Sequence, residues 1–218
     1  MEYRPGGFSE EKHGWPLLNH WDSFGYDDDY SIDPWVYYTH GYDVGTVGHK
    51  FVRDITGLFG EGWAGNCFGL SLLAVAHYNR QLDLKPYFSR NGDALNQFGY
   101  DSIDINPDNG KKIYTLYHHE NGEKVSHPIL TKIEQAQCSQ MSWEIGNADK
   151  TYDSEDYQTL IDYLNTENPR PLLITAKGHT VVTDTSMKPI YIGNGQYLIP
   201  LYDCNAPQSP AGPEGFYN

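Results

Sequence analysis

The stretch GNCFGLSLLAVAHY, residues 65–78, places one cysteine at the start of a segment that otherwise describes a buried helix. From Cys67 to about Arg80 the apolar residues cover nearly the whole circumference of a helix, which predicts burial on most sides. Asn66 is a favourable cap residue, so Cys67 falls in the first helical turn. The positive end of the helix dipole and the free N–H groups there favour a thiolate. Because a free cysteine is also among the residues most often buried, Cys67 is either a packing residue or a nucleophile.

The patterns on either side of this helix divide the chain into three parts. Residues 1–50 are aromatic and polar without a sustained period, which indicates an irregular arm over the core. Residues 51–165 are predicted to be mainly helical, with one inserted hairpin. Residues 166–218 contain short apolar runs separated by turns, which predicts an antiparallel sheet. We therefore expect a single α+β domain over residues 1–218.

Local turn and cap signals support this division. Asn121-Gly122 between two polar strands predicts the tip of the inserted hairpin, and Gly193-Asn194-Gly195 predicts a second hairpin tip in the sheet. An acidic cluster followed by Tyr157, Leu160, Ile161 and Leu164 predicts an amphipathic helix that ends before Pro169.

Charge and hydropathy exclude several kinds of partner. The formal net charge is −14, from 29 acidic and 15 basic residues, so neither nucleic acid nor an anionic membrane surface is an expected partner. No apolar run approaches the roughly 20 residues that span a bilayer, and we expect no membrane insertion. The N-terminal residues have no hydrophobic signal core. We expect a domain of a larger secreted or cell-surface bacterial protein, with a cytoplasmic protein as the alternative.

The chain has three cysteines, Cys67, Cys138 and Cys204. This odd number is not a disulfide framework, and no CxxC pair suggests zinc. A bridge between Cys138 and Cys204 stays open, because sequence alone cannot decide it. We expect no metal and no cofactor.

Two further segments could supply partners for a nucleophilic thiol. A thiolate needs an imidazole to exchange its proton, and that imidazole needs an acceptor to fix its orientation. His179 precedes an apolar run in GHTVVTD and would lie at the rim of a sheet. Asp203 and Asn205 follow the apolar run of YLIPLYDCN. The 24 residues from His179 to Asp203 allow one intervening strand and two tight turns.

At these three places the sequence resembles the papain-like cysteine peptidases. GNCFGLS resembles their nucleophile segment, and GHTVVT resembles their histidine strand. LYDCNAP resembles the Tyr-Asp-Pro-Asn ending of papain-like and bacteriocin-processing-like bacterial peptidases, and the chain is similar to a divergent bacterial branch of the family. The resemblance implies a helical subdomain that carries the cysteine, packed on an antiparallel sheet. It also implies hydrolysis of peptide bonds in a polypeptide substrate through a thioester. Carried over by position, Cys67 is the nucleophile, His179 the base and acid, and Asp203 the orienting residue, with Asn205 as the alternate.

The sequence departs from this family at the oxyanion donor. The family has glutamine six residues before the cysteine, but this chain has Glu61, which has no proton to donate when ionised. Another donor must act beside the Cys67 backbone N–H. The candidates are Asn19, which we favour, and Asn66.

Two other functions remain open from the sequence. The same three residues could carry out acyl transfer or cell-wall amide hydrolysis, since the residues that choose the substrate are not identifiable. Glu61 instead favours a catalytically inactive papain-like binding module, which an intact set of Cys67, His179 and Asp203 argues against.

Overall fold

A computed structural model describes residues 3–25, 66–88, 102–105, 112–139, 156–176 and 178–206. Within these ranges the chain is a mixture of helices and antiparallel strands, which confirms the α+β class. Glu61 lies outside the described residues, as do residues 26–50 of the predicted aromatic arm.

The helices and strands have the following bounds. The helices are α1 (Glu10–His13), α2 (Trp21–Phe24), α3 (Cys67–Tyr78), α4 (Pro128–Ser139) and α5 (Asp156–Leu164), with a 3-10 turn at Lys85–Tyr87. The strands are β1 (Ser102–Ile105), β2 (Lys112–Thr115), β3 (Tyr117–Glu120), β4 (Glu123–Ser126), β5 (Leu173–Ala176), β6 (His179–Thr183), β7 (Ile190–Gly193), β8 (Gln196–Leu198) and β9 (Leu201–Tyr202).

Helix α3 is the predicted cysteine helix, and it lies in the core between α4 and β6. Its first half is buried on all sides, as the apolar pattern predicts: Leu70 and Ala74 have no exposed surface. Gly69 allows α4 to approach, because a Cβ built at this position would lie 2.3 Å from the carbonyl oxygen of Ile133. This close packing fixes the N-terminal end of α3 against α4.

Strands β5, β6 and β9 form one antiparallel sheet with β6 in the centre. Ala176 pairs with His179 across a tight turn that contains Gly178, whose φ of +78° favours glycine. On the other side of β6, Val182 pairs with Tyr202. Thus His179 begins the central strand at one rim of the sheet, as predicted.

The residues between His179 and Asp203 differ from the expectation of one intervening strand. They form the separate two-stranded hairpin β7–β8, and β6 pairs directly with β9. The hairpin tip is where the sequence predicts it, with Asn194 and Gly195 at φ of 52° and 74°. Strands β7 and β8 pair with each other and not with β5, β6 or β9, so this hairpin leaves the sheet instead of extending it. Its exposed side chains include Tyr191 and Leu198.

Two other local predictions are confirmed. Strands β3 and β4 form a hairpin around Asn121 and Gly122, both at positive φ. Helix α5 buries Ile161 and Leu164 and exposes its polar face, as an amphipathic helix should. Beyond Leu164 the helix ends, and the Arg4 guanidinium donates to the Leu164 carbonyl at 2.7 Å.

The N-terminal residues connect the cysteine helix with the sheet. The Trp15 indole N–H donates to the Leu70 carbonyl at 2.9 Å, and the Trp15 backbone N–H donates to the Tyr202 hydroxyl at 3.2 Å. Both Trp15 and Tyr202 are fully buried. This N-terminal segment is therefore packed into the core, since Trp15 hydrogen-bonds both to α3 and to Tyr202 of β9.

The contact at Gly69 gives a stability prediction. Alanine there forces backbone of α4 to move, and overpacking costs about 3 kcal/mol, at the upper end of its usual range. We expect Gly69→Ala to lower the free energy of unfolding by about that amount, measured by urea denaturation at unchanged m-value. Gly122→Ala is the matched control, because a Cβ there meets nothing within 4 Å and only the positive φ opposes it. A loss at Gly69 no greater than that at Gly122 would contradict the packing argument.

Candidate active site

Cys67 is the first residue of α3, where the sequence places it. Its side chain is buried, with 8% of the residue exposed, and its thiol donates to the Gly178 carbonyl oxygen at 3.9 Å. Gly178 is the chain neighbour of His179. The N-terminus of the cysteine helix thus meets the turn that presents the histidine.

The N–H groups at the start of α3 are not all engaged. The N–H of Asn66 donates to the Asn19 Oδ1 at 2.6 Å, and that of Gly69 donates to the Gln137 Oε1 at 2.8 Å. Between them, the N–H of Cys67 has no acceptor among the residues that the structure describes. No acceptor in the described residues thus competes for this N–H with an oxyanion beside the thiol.

His179 lies against Asp203 with good hydrogen-bond geometry. The ring Nε2 is 2.7 Å from the Asp203 Oδ1, and the two side chains are 29% and 40% exposed. Because a carboxylate can only accept, this contact places a proton on Nε2 and leaves Nδ1 as the nitrogen that can act as a base.

The sheet register explains why these two residues meet. Val182 pairs with Tyr202 and Thr183 with Leu201, so continuing the antiparallel register brings residue 203 opposite residue 181. Residues 179 and 181 share one face of β6 because side chains alternate along a strand. Asp203 is therefore a diagonal neighbour of His179 on that face.

Asn205 lies on the other side of the histidine ring. Its backbone N–H donates to the Asp203 Oδ1 at 2.8 Å, which closes a short turn after β9. Its side-chain Nδ2 is 3.4 Å from the His179 Nδ1. Both candidates for the third position thus contact the imidazole, one at each nitrogen, and Asp203 makes the shorter contact.

The structure also brings the two predicted oxyanion residues to this site. The Asn19 Nδ2 donates one N–H to the Asn205 Oδ1 at 2.8 Å, and the Asn19 backbone N–H donates to the Cys204 carbonyl at 2.9 Å. Asn66 occupies the position before α3, but its side chain makes no cap hydrogen bond, so the expected capping role is wrong. The Asn66 side chain is fully buried.

Two titratable groups near the site have raised pKa values. The pKa of half-buried Glu10 is raised to about 7, first by burial and then by the nearby carboxylates of Asp184 and Asp203. Burial raises the pKa of the Cys204 thiol well above its ordinary value, with smaller contributions from Cys67 and Asp203. Cys204 is a free, fully buried thiol, so the bridge to Cys138 that the sequence leaves open does not form. A neutral thiol without access does not compete with Cys67 as a nucleophile.

Sequence reasoning misses three contributors to this arrangement. The Gln137 side chain accepts a hydrogen bond from the Gly69 N–H in the first turn of α3, and the Gly178 carbonyl accepts one from the Cys67 thiol. Glu10 lies close enough to Asp203 for the charge of that carboxylate to raise the pKa of Glu10. Gln137 lies inside a helix, and its amide is buried, with 2% of the residue exposed. The signal that could have identified it is its spacing, because Gln137 follows the buried Leu130 by seven residues and the buried Ile133 by four and so falls on the apolar face of α4.

Other classes of site are not found in the described ranges. No group of three or more His, Cys, Asp or Glu side chains within them could hold a metal ion. Within the same residues, no helix combines the length and the apolar character needed to cross a membrane.

No protein-family model, curated protein or solved structure matches the chain. The site is therefore interpreted from its own geometry.

Proposed function

We propose that the protein is a cysteine peptidase of papain-like fold that hydrolyses peptide bonds in a polypeptide substrate. The observation that carries this proposal is the 2.7 Å contact between the His179 Nε2 and the Asp203 Oδ1. His179 directly follows Gly178, whose carbonyl oxygen accepts a hydrogen bond from the Cys67 thiol. A buried cysteine that served only in packing would not require an oriented imidazole next to it. The order of helix, histidine strand and acidic turn also agrees with the resemblance of the three sequence segments to this family.

In the first chemical step Cys67 attacks the peptide carbonyl carbon. The thiol leaves the Gly178 carbonyl and gives its proton to the His179 Nδ1, while Nε2–H stays on the Asp203 carboxylate. The new S–C bond places negative charge on the carbonyl oxygen, which the Cys67 backbone N–H stabilises. Protonated Nδ1 then gives its proton to the leaving amine as the C–N bond breaks, and a thioester remains.

In the second step water hydrolyses this thioester. Nδ1 accepts a proton from the water as the oxygen attacks the same carbon. When the S–C bond breaks, the peptide acid leaves and the sulfur regains its proton through Nδ1. No cofactor takes part, and all proton transfers use one ring nitrogen.

The test is the rate of iodoacetamide alkylation of each cysteine against pH, read by peptide mass spectrometry. We expect fast labelling of Cys67 well below pH 8.5, about where an ordinary cysteine ionises, and loss of this fast reaction in His179→Ala. Cys204 is the internal control, since a fully buried thiol is labelled only on unfolding. Labelling of Cys67 only at alkaline pH, or with the unfolding rate of Cys204, would reject an activated thiol.

One observation favours the alternative of an inactive papain-like binding module. The thiol of Cys67 is buried and donates to a carbonyl, and the His179 Nδ1 faces Asn205 instead. An enzyme must exchange these contacts to react, whereas a binding module need not. Unchanged alkylation in His179→Ala would make the binding module the better interpretation.

Acyl transfer and cell-wall amide hydrolysis would use the same residues as the proposed peptidase. They differ from it only in the group that accepts the acyl chain and in the substrate.

A further inference from the structure

A chain of hydrogen bonds runs from the start of α3 to the histidine ring through two asparagine side chains. The Asn66 backbone N–H is 2.6 Å from the Asn19 Oδ1, the Asn19 Nδ2 is 2.8 Å from the Asn205 Oδ1, and the Asn205 Nδ2 is 3.4 Å from the His179 Nδ1. The first bond connects residues of the cysteine helix and the N-terminal arm. The second connects that arm to the loop after β9, and the third connects this loop to His179, the first residue of β6.

The direction of this chain follows from its first member. A backbone N–H can only donate, so the amide oxygen of Asn19 must face Asn66. The amide nitrogen of Asn19 then faces Asn205, and because it only donates, the Asn205 group opposite must be the oxygen. The amide nitrogen of Asn205 is therefore the group that faces the histidine, and it requires a lone pair on Nδ1.

The other side of the ring leads independently to the same tautomer. The Asp203 carboxylate at 2.7 Å requires a proton on Nε2. A neutral imidazole with Nε2–H has its lone pair on Nδ1, as the amide chain also requires. The two sides of the site thus agree on which nitrogen acts as the base.

We propose that Asn19 is a positioning residue that orients the Asn205 amide and, through it, fixes the tautomer of His179. Asn19 is suited to this role because its backbone N–H also donates to the Cys204 carbonyl at 2.9 Å. Its main chain is held by the loop that carries Asn205, and its side chain spans the gap to α3. This role uses one N–H of the amide; the second N–H is not engaged within the described part of the chain and is the one that could serve an oxyanion. The consequence for catalysis rests on the proposed function, but the tautomer does not.

The experiment uses Asn19→Asp, which replaces the amide NH₂ by an oxygen of similar shape. The carboxylate still accepts from the Asn66 N–H but can no longer donate to Asn205. The Asn205 amide must then turn, and its oxygen faces the His179 Nδ1, which now has to carry the proton. In an Asp203→Ala background, where no carboxylate holds Nε2–H, we expect the neutral ring to change from Nε2–H to Nδ1–H.

The measurement is long-range ¹H–¹⁵N NMR of protein labelled with ¹⁵N-histidine, which reads the proton on each ring nitrogen. The chain has nine histidines, and His179→Gln assigns the relevant signals. With Asp203 present, Asn19→Asp gives both ring nitrogens an acceptor, and we expect the Nδ1 resonance to move toward that of a protonated ring nitrogen.

The added charge needs a matched control. Asn205→Ala combined with Asn19→Asp keeps the new carboxylate but breaks the chain, and we expect most of the change to disappear. If the change persists, charge alone explains it and the proposal is wrong. If Asn19→Asp does not fold, Asn19→Ala in the Asp203→Ala background is the second variant. The Asn205 amide is then free to turn, so an unaltered ¹⁵N pattern would reject the proposal and a shift toward mixed tautomers would support it.

The tautomer and the activity are separate outcomes. If substitution of Asn19 changes the tautomer of His179 but Cys67 shows no fast alkylation, the positioning role stands and the peptidase proposal is wrong. If Cys67 shows fast alkylation but substitution of Asn19 leaves the tautomer unchanged, only the positioning role is wrong.

Discussion

Cys67→Ala is expected to abolish thiol-dependent hydrolysis of an unfolded protein substrate, by at least about 10⁴-fold, and to leave the thermal transition within a few degrees of the wild type. The loss is large because no other group in the described site can form the thioester. The effect on folding is small because only a sulfur atom is removed, from a residue with 8% of its surface exposed, whereas Cys204 has none. Fluorescently labelled casein and differential scanning calorimetry measure the two quantities.

Cys204→Ala is the matched control for this variant. It removes the same atom from a thiol that lies 4.0 Å from the Cys67 carbonyl oxygen but is fully buried and neutral. We expect retained hydrolysis and a lower transition temperature, the opposite of the result at Cys67. A fall in the transition temperature of Cys67→Ala as large as that of Cys204→Ala, with hydrolysis unchanged, would make Cys67 a packing residue.

Asp203→Ala is expected to lower kcat/KM by about 10²–10⁴-fold, and Asn205→Ala by about tenfold or less. Asp203 holds the proton on Nε2 at 2.7 Å with a full negative charge, and loss of such an orienting carboxylate has cost about 10⁴-fold in a comparable triad. Asn205 contacts the ring at 3.4 Å through a neutral amide. The comparison needs only relative rates on one substrate.

Asp203→Asn is the control for charge in this comparison. The amide keeps the shape of the side chain but loses the carboxylate charge, and it can donate to Nε2 as well as accept from it, so it no longer holds the proton on that nitrogen. We expect a loss close to that of Asp203→Ala, since the corresponding amide variant of a comparable triad loses about 10⁴-fold through the wrong tautomer. A greater loss in Asn205→Ala than in Asp203→Ala would transfer the orienting role to Asn205.

The sequence predicts those parts of the fold that depend on local patterns. The apolar surface of α3, the glycine and asparagine residues at the two hairpin tips, and the amphipathic pattern of α5 each determine structure over a few neighbouring residues. The pairing of β6 with β9 is different, because it depends on contacts between distant residues. A count of residues from His179 to Asp203 permits several strand arrangements, and it cannot show that β7 and β8 leave the sheet as a separate hairpin.

The candidate site shows the same limit. Local patterns suffice to predict that Cys67 begins a helix and that His179 begins a strand, as the structure has them. Sequence order does not show that the Asn19 amide connects α3 with the loop after β9, since its two side-chain partners lie far apart in the chain. It also fails at Asn66, where a favourable cap residue makes no cap hydrogen bond with its side chain.

The contact between Asn19 and Asn205 joins residues 186 positions apart, which has a consequence during biosynthesis. At about 5–20 residues per second, Asn19 leaves the ribosome on the order of 10 s or more before Asn205 is made. Cys67 and its helix are likewise complete long before the strand that ends at Asp203. A nascent chain therefore carries the Cys67 thiol without Asp203 and Asn205, and the proposed active site forms only when β9 docks.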